Sequence, residues 1–231
     1  VTVSDASAFR KALAAVGACS SMNFLFFSLS SGLAIGIGII VAQYFGAGDE
    51  ENVRSTIANA IYVLAGAAMV VSIIGITLCP TILKILQTPD KIIGDSVIYM
   101  RTTCAGIVFI AAYNGVAAML RALGDSKTPL YFLMISSIIN VVLDLTFVLL
   151  LDWGVFGVAL ATIIAQAVSA ITCMIYAYHK IEYFRLTKEQ LVFNSHIVVN
   201  SIKLGVPIAL QNSMIAVSCM VLQGVVNTFG E

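Results

Sequence analysis

One carboxylate stands apart in this sequence, because Asp144 is the only Asp, Glu, Lys, Arg or His inside the long apolar stretches of the chain. Asn140 precedes it by one helical turn, so on a helix the two side chains share a face. A charge near the middle of a membrane helix costs about 2.5–3.5 kcal/mol, and such a residue usually faces a protein interior or a wet cavity. A carboxylate beside an amide can hold a proton or a hard monovalent cation such as sodium. The pair therefore predicts an ion site.

A purely structural role for Asp144 is the alternative, since polar side chains often join neighbouring helices in membrane bundles. Three further polar side chains near helix middles are candidates for lining a cavity: Asn114, Tyr113 and Gln166. The sequence contains neither an H-E-x-x-H motif nor a G-x-x-x-x-G-K-[ST] phosphate loop. We therefore expect neither an enzyme nor a protein driven by ATP, and no organic cofactor.

The elements that would position Asp144 are membrane helices. Of 231 residues, 60% are hydrophobic and 10% are charged, with a mean hydropathy of +1.00, whereas soluble domains are about one quarter charged. Six stretches reach the length of about 20 residues that a helix needs to cross the hydrocarbon core. They are 12–48, 55–83, 102–120, 128–151, 153–178 and 204–230. They lack the period-two alternation of barrel strands, so the predicted fold class is an all-α integral membrane bundle of about six transmembrane helices.

Charge indicates the environment and orientation of this bundle. Twelve Lys and Arg residues balance twelve Asp and Glu residues, so no basic field is available to bind nucleic acid, and the expected partner is the lipid bilayer. Positive residues are more numerous on one side, which favours the cytoplasm for that side. They are Arg54, Arg121, Lys127, Lys180, Arg185, Lys188 and Lys203, against Arg10, Lys11, Lys84, Lys91 and Arg101 opposite. The five scattered cysteines predict small buried side chains and no metal or redox site.

Two loops on the predicted cytoplasmic side have the composition of tight turns. Glycine can adopt the left-handed conformation that ends a helix, aspartate can cap the next helix, and proline suits a first helical turn. The residues are Gly46, Gly48 and Asp49 in the first loop, and Arg121, Gly124, Asp125 and Pro129 in the second. Local chemistry alone is typical of structural connectors.

Four segments together resemble the multidrug and toxic compound extrusion (MATE) transporters. They are A-Q-Y-F-G-A-G-D at 42–49, R-A-L-G-D-S-K-T-P-L at 121–130, N-V-V-L-D at 140–144, and G-V-F-G-V-A-L-A-T at 154–162 with Gln166. Their order and spacing make the match specific, and the similarity extends over essentially the whole chain. The resemblance implies a twelve-helix, two-lobed transporter that exports amphipathic or cationic organic compounds by antiport with protons or sodium ions.

The resemblance also implies a division of the chain. Residues 1–180 correspond to five helices of an amino-terminal lobe, the second to the sixth of the family. Residues 181–203 are expected to be a cytoplasmic linker with an amphipathic helix, and 204–231 the first helix of the second lobe. The family's first helix and most of its second lobe, which function requires, are expected to lie outside this sequence. The expected location is the cell membrane, in bacteria the inner membrane.

In the family, an Asp and an Asn on the fifth helix and a Thr on the sixth belong to the cation site. This assignment carries over to Asp144, Asn140 and Thr162, with a proton or sodium ion as the coupling ion. The family site also has an acidic residue on the first helix, which this sequence does not contain. A helical threonine can instead bond the carbonyl one turn back, so a local role for Thr162 is the alternative.

Two other functions are weighed against antiport. A flippase for lipid-linked precursors would favour a basic cavity, and the apolar stretches contain no Lys or Arg. A pore or a non-transporting membrane scaffold is the second alternative. Separately, Gly32, Gly36 and Gly38 form a stripe of small residues, in which Gly32 and Gly36 have G-x-x-x-G spacing. The stripe predicts that another helix packs closely there, with bending as the alternative. Pro80 and Pro207 fit either helix ends or hinges.

Overall fold

The computed structural model describes residues 3–187 and 190–228, which form helices and connections without a strand. The helices are α1 (Val3–Gly46), α2 (Glu50–Ile85), α3 (Asp90–Ala105), α4 (Ile107–Ala122), α5 (Lys127–Leu145), α6 (Gly154–Lys180) and α7 (Ser195–Thr228). Five helical segments are long and apolar enough to cross a membrane, and the bent pair α3–α4 makes a sixth. The predicted all-α membrane bundle is confirmed.

The span predicted for 102–120 is longer and bent in the structure, where it consists of α3 and α4 at an angle of 45° around Gly106. The charge-free stretch begins only after Arg101, but the helix begins earlier, at Asp90. Arg101 is accommodated inside α3 because its side chain donates a hydrogen bond to the carbonyl of Ile76 on α2, 3.3 Å away. A Cβ atom on Gly106 would lie 2.5 Å from the side chain of Ile163. Glycine therefore lets the bend pack directly on α6.

The helix predicted for 128–151 changes character near its end. After α5 the chain forms a π-helical turn, Thr146–Leu150, in which the amide of Leu151 donates to the carbonyl of Thr146 at 3.2 Å. The turn brings the rings of Phe147 and Trp153 to a centroid distance of 5.1 Å. The π-helical turn begins two residues after Asp144.

The described residues of 181–203 form no α-helix separate from α7, which occupies 195–203. A single 3₁₀ turn, Glu182–Phe184, is followed by irregular chain, and α7 already begins at Ser195. The side-chain oxygen of Asn194 accepts hydrogen bonds from the amides of His196 and Ile197, at 3.1 and 3.3 Å, which caps α7 there. The apolar residues that suggested an interfacial helix belong partly to α7, and the division into lobes stays a prediction.

Helix α1 runs through two buried clusters at opposite ends of the bundle. Met22 packs with Met100 in one cluster, and Ile37 packs with Leu120 in the other. The second cluster lies at the end that carries the α1–α2, α4–α5 and α6–α7 connections, which we call the motif end. Four cysteines are buried as predicted, whereas Cys219 on α7 is exposed.

Close packing at the glycine stripe is confirmed for Gly32 and Gly36. A Cβ atom on Gly32 would lie 2.5 Å from the backbone nitrogen of Ala209, and one on Gly36 would lie 2.6 Å from the backbone of Gly205. The backbones of α1 and α7 therefore touch, which a larger side chain at either position would prevent.

Candidate functional site

Asp144 and Asn140 lie one turn apart on α5, and each has a buried polar atom without a hydrogen-bond partner among the described residues. These atoms are the Asp144 Oδ1 and the Asn140 Nδ2. A buried polar group without a partner costs about 1–3 kcal/mol. Such atoms usually bond to solvent, to a ligand or to another part of the protein. This face of α5 therefore has a free acceptor and a free donor for a polar group.

Asn114 on α4 has the same property, since its Nδ2 is also buried and without a partner in the described part of the chain. The three groups are complementary in kind, because a carboxylate oxygen attracts a proton or a cation while amide groups donate hydrogen bonds to a carboxylate. No hydrogen bond joins Asn114 to Asp144 or Asn140 among the described residues, so its place in a cavity lining stays a prediction.

Tyr99 on α3 is a residue of this site that the sequence did not predict. The phenol oxygen accepts a hydrogen bond from Asn23 of α1 at 3.2 Å, and Tyr99 lies within electrostatic range of Asp144. The charge-free stretch begins only after Arg101, so it leaves Tyr99 outside the predicted span. A helix continued backwards through that arginine would have placed Tyr99 inside the bundle.

Thr162 is placed near Asn140 by the register of α5 and α6. The Ser136 hydroxyl donates to the carbonyl of Ala165 at 2.6 Å, and the helices are antiparallel, so the next turn of α5 lies level with Thr162. The Thr162 hydroxyl donates to the carbonyl of Val158 at 3.0 Å. Thr162 therefore makes the local hydrogen bond expected of a helical threonine, while its oxygen keeps acceptor capacity.

The other two predicted lining residues have different surroundings. Tyr113 is buried, and its hydroxyl donates to the carbonyl of Pro129 at 2.8 Å, which joins α4 to the first turn of α5. The Tyr113 hydroxyl therefore uses its proton in a contact between helices at the motif end. Gln166 is partly buried on α6, one turn beyond Thr162.

The two glycine-containing loops use the same device. Gly48 and Gly124 have φ angles of +71° and +96°, and each is followed by an aspartate that accepts a hydrogen bond from a backbone amide three residues on. Asp49 accepts from Asn52 at 3.1 Å, and Asp125 accepts from Thr128 at 3.0 Å. The loops are built as helix caps.

Asp125 also accepts a hydrogen bond from the Tyr176 hydroxyl at 3.1 Å, which joins the loop to α6. Burial alone would raise the pKa of this carboxyl, but the hydrogen bonds from Thr128 and Tyr176 outweigh it and lower the pKa below 3.8. Hydrogen bonds from Asn52 likewise lower the pKa of Asp49. Both loops are therefore held by ionised carboxylates at neutral pH.

Asp125→Ala is expected to destabilise the fold by about 1 kcal/mol, because it removes a helix cap. Since the folded pKa is lower than the unfolded one, the ionised cap contributes stability above the unfolded pKa and loses it as pH falls through the folded pKa. Thermal melting in detergent should show a smaller loss of melting temperature below about pH 4 in the variant than in the parent. Identical pH profiles would contradict the cap's contribution.

The family model MatE matches residues 8–146. Two proteins of Bacillus subtilis (strain 168), the probable multidrug resistance proteins YpnP and YoeA, are 31% identical over 222 residues and 27% identical over 227 residues. The alignments cover 96% and 95% of this chain but 49% of each relative. The chain therefore spans about half the length of these curated relatives.

Solved structures show the same relation. The chain superposes on an inward-facing multidrug resistance MATE family transporter of the MOP superfamily with a TM-score of 0.88 and 23% identity, over 95% of this chain and 50% of that one. For an outward-facing structure with the same description, the TM-score is 0.79 and the identity 22%, over 91% and 48%. At these identities the likeness shows a shared fold.

Proposed function

Since this chain belongs to the MATE family of multidrug efflux transporters, we propose that it forms the ion-coupling half of an antiporter. The antiporter exports amphipathic or cationic organic compounds across the cell membrane, with the motif end in the cytoplasm. The observation that carries this proposal is the pair of unpartnered buried atoms on Asp144 and Asn140.

Asp144 alternates between two states in this mechanism. A proton or a sodium ion neutralises the carboxylate in one state, whereas in the other the charge is free to interact with a cationic substrate. The Asn140 amide, one helical turn from Asp144, offers either a hydrogen-bond donor or an oxygen ligand to a group bound at this site. Thr162 supplies a further oxygen near Asn140, and an oxygen-rich set of this kind suits a hard cation.

The neighbours of Asp144 favour antiport of organic compounds over a flippase function. Asn140 and Tyr99 are uncharged, so neither of them is a basic side chain available for the phosphates of a lipid-linked precursor. Asp144 itself would repel such phosphates.

Efflux from liposomes tests the proposal. The full-length transporter that contains this chain, reconstituted with a cationic fluorescent dye, is expected to move the dye only when a proton or sodium gradient is imposed, because movement against a concentration gradient needs an energy source. Each gradient is imposed separately, and collapsing it with an ionophore serves as the control. Dye movement that ignores both gradients, together with ionic current across a planar bilayer, would indicate a pore instead.

A further inference from the structure

The described residues between α6 and α7, 181–187 and 190–194, which we call the strap, are bonded to α2. The Arg54 guanidinium forms an ion pair with Glu182 at 2.8 Å and donates to the Glu182 carbonyl at 2.9 Å. The same guanidinium lies over the ring of Tyr183, 5.4 Å from its centroid. Further along, the Tyr62 hydroxyl donates to the carbonyl of Leu191 at 3.0 Å.

Asn59 of α2 forms the buried centre of this contact. It is fully buried, with 0% of its surface exposed. Its Nδ2 donates to the carbonyls of Val192 at 3.2 Å and Ser55 at 2.9 Å, and its Oδ1 accepts from the amide of Asn194 at 2.8 Å. Both ends of the amide are satisfied, and two of its three partners are backbone groups of the strap.

Asn194 connects Asn59 to α7. Its backbone is held by Asn59, while its side-chain oxygen accepts from the first amides of α7, those of His196 and Ile197. The first turn of α7 is therefore connected to α2 through one residue, with hydrogen bonds on both sides of it.

The contact between α1 and α7 leaves little freedom beyond that turn. A Cβ atom on Gly36 would lie 2.6 Å from the Gly205 backbone and 3.1 Å from the carbonyl oxygen of Ser201. Detaching the strap would also break two of the three hydrogen bonds of the Asn59 amide, those to Val192 and Asn194.

We propose that Asn59 is a positioning residue in a rigid joint, in which α1, α2, the strap and the first turns of α7 move as one unit. This inference rests on the proposed transport function, because it places the rearrangement between lobes beyond the joint. The strap, which the sequence predicts to be a linker between lobes, does not flex in this mechanism.

Nitroxide labels test the joint without measuring transport. Ser55 and Ser195 line one cavity beside the strap, so Ser55→Cys and Ser195→Cys can carry the labels in a Cys219→Ser background, since Cys219 is the exposed native cysteine. Pulsed electron resonance should give one narrow distance distribution, unchanged when substrate or an ion gradient is added. A second population under any of these conditions would overturn the rigid joint.

The Asn59 variants test the positioning role. Asn59→Ala is expected to broaden the distance distribution, and Asn59→Asp, which keeps the acceptor for the Asn194 amide, to broaden it less. Thr77→Ala, also on α2, is the matched control, because the Thr77 hydroxyl bonds only carbonyls of its own helix. An unchanged distribution in Asn59→Ala would show that Asn59 does not position α7.

Crosslinking relates the joint to transport. A short bifunctional thiol reagent joining the same two cysteines should leave gradient-driven dye efflux at the rate of the unlinked protein. Loss of efflux on crosslinking, restored when a cleavable reagent is cut, would show that the joint must open. If the unlinked protein exports nothing under either gradient, the proposed function fails, and the distance measurements still decide whether the joint is rigid.

Discussion

Asp144→Asn is expected to abolish gradient-driven dye efflux while leaving the protein folded. The asparagine amide can neither bind a proton in this pH range nor neutralise a cation, so the two states of the coupling site disappear. Insertion and folding should be retained, because a charge near the middle of a membrane helix costs about 2.5–3.5 kcal/mol and the amide avoids this cost. Efflux in liposomes should fall to the rate of protein-free vesicles, with an unchanged elution profile in detergent.

Asp152→Asn is the matched control for this prediction. Asp152 is exposed beyond the π-helical turn and has a φ angle of +55°, a conformation that asparagine also adopts readily. The same chemical change is therefore made outside the apolar spans, and efflux should stay at the parent rate. If Asp144→Asn exports dye as well as the parent and depends on the same gradient, Asp144 does not couple ions to transport.

The central residues of the site could be predicted because the cost of a charge in lipid is local and large. Asp144 can be identified from the apolar residues around it in the sequence. The helical period alone then places Asn140 on the same face. The turns at Gly48 and Gly124 could likewise be predicted, because a left-handed glycine followed by a capping aspartate involves only neighbouring residues.

Helix ends could not be predicted by counting charge-free residues. Arg101 interrupts the count, yet its side chain bonds a carbonyl of α2 and its backbone remains helical. Long cationic side chains near the ends of membrane helices are tolerated because they reach polar groups outside the hydrocarbon. The bend at Gly106, and with it the inward position of Tyr99, therefore required knowledge of the packing between helices.

The irregular backbone of the strap could not be predicted, for a related reason. Its apolar residues suggested an amphipathic helix, but hydrogen bonds to Asn59, which is separated from Asn194 by 135 residues, satisfy its backbone without one. Contacts over that sequence distance leave no periodic pattern in the strap itself. Only the asparagine that caps α7 is a local signal.

Gly32→Ala is expected to destabilise the bundle strongly, because the added methyl group would overlap the backbone of Ala209. Overpacking of this kind costs about 1–3 kcal/mol, which in a chain of this length corresponds to a fall of roughly 3–10 °C in melting temperature. Thermal melting in detergent, followed by the loss of monodisperse protein, measures the effect. Gly36→Ala should behave in the same way, since its neighbour is the backbone of Gly205.

Gly66→Ala separates this packing effect from the general effect of glycine in a helix. Gly66 lies on α2 with nothing within 4 Å of an added Cβ atom, so alanine should leave the melting temperature unchanged or raise it, because alanine favours the helix. Ala209→Gly should not rescue Gly32→Ala, because the overlap is with backbone atoms that the second substitution leaves in place. Equal melting temperatures for Gly32→Ala and Gly66→Ala, or full rescue by Ala209→Gly, would show that the backbones of α1 and α7 are not in contact here.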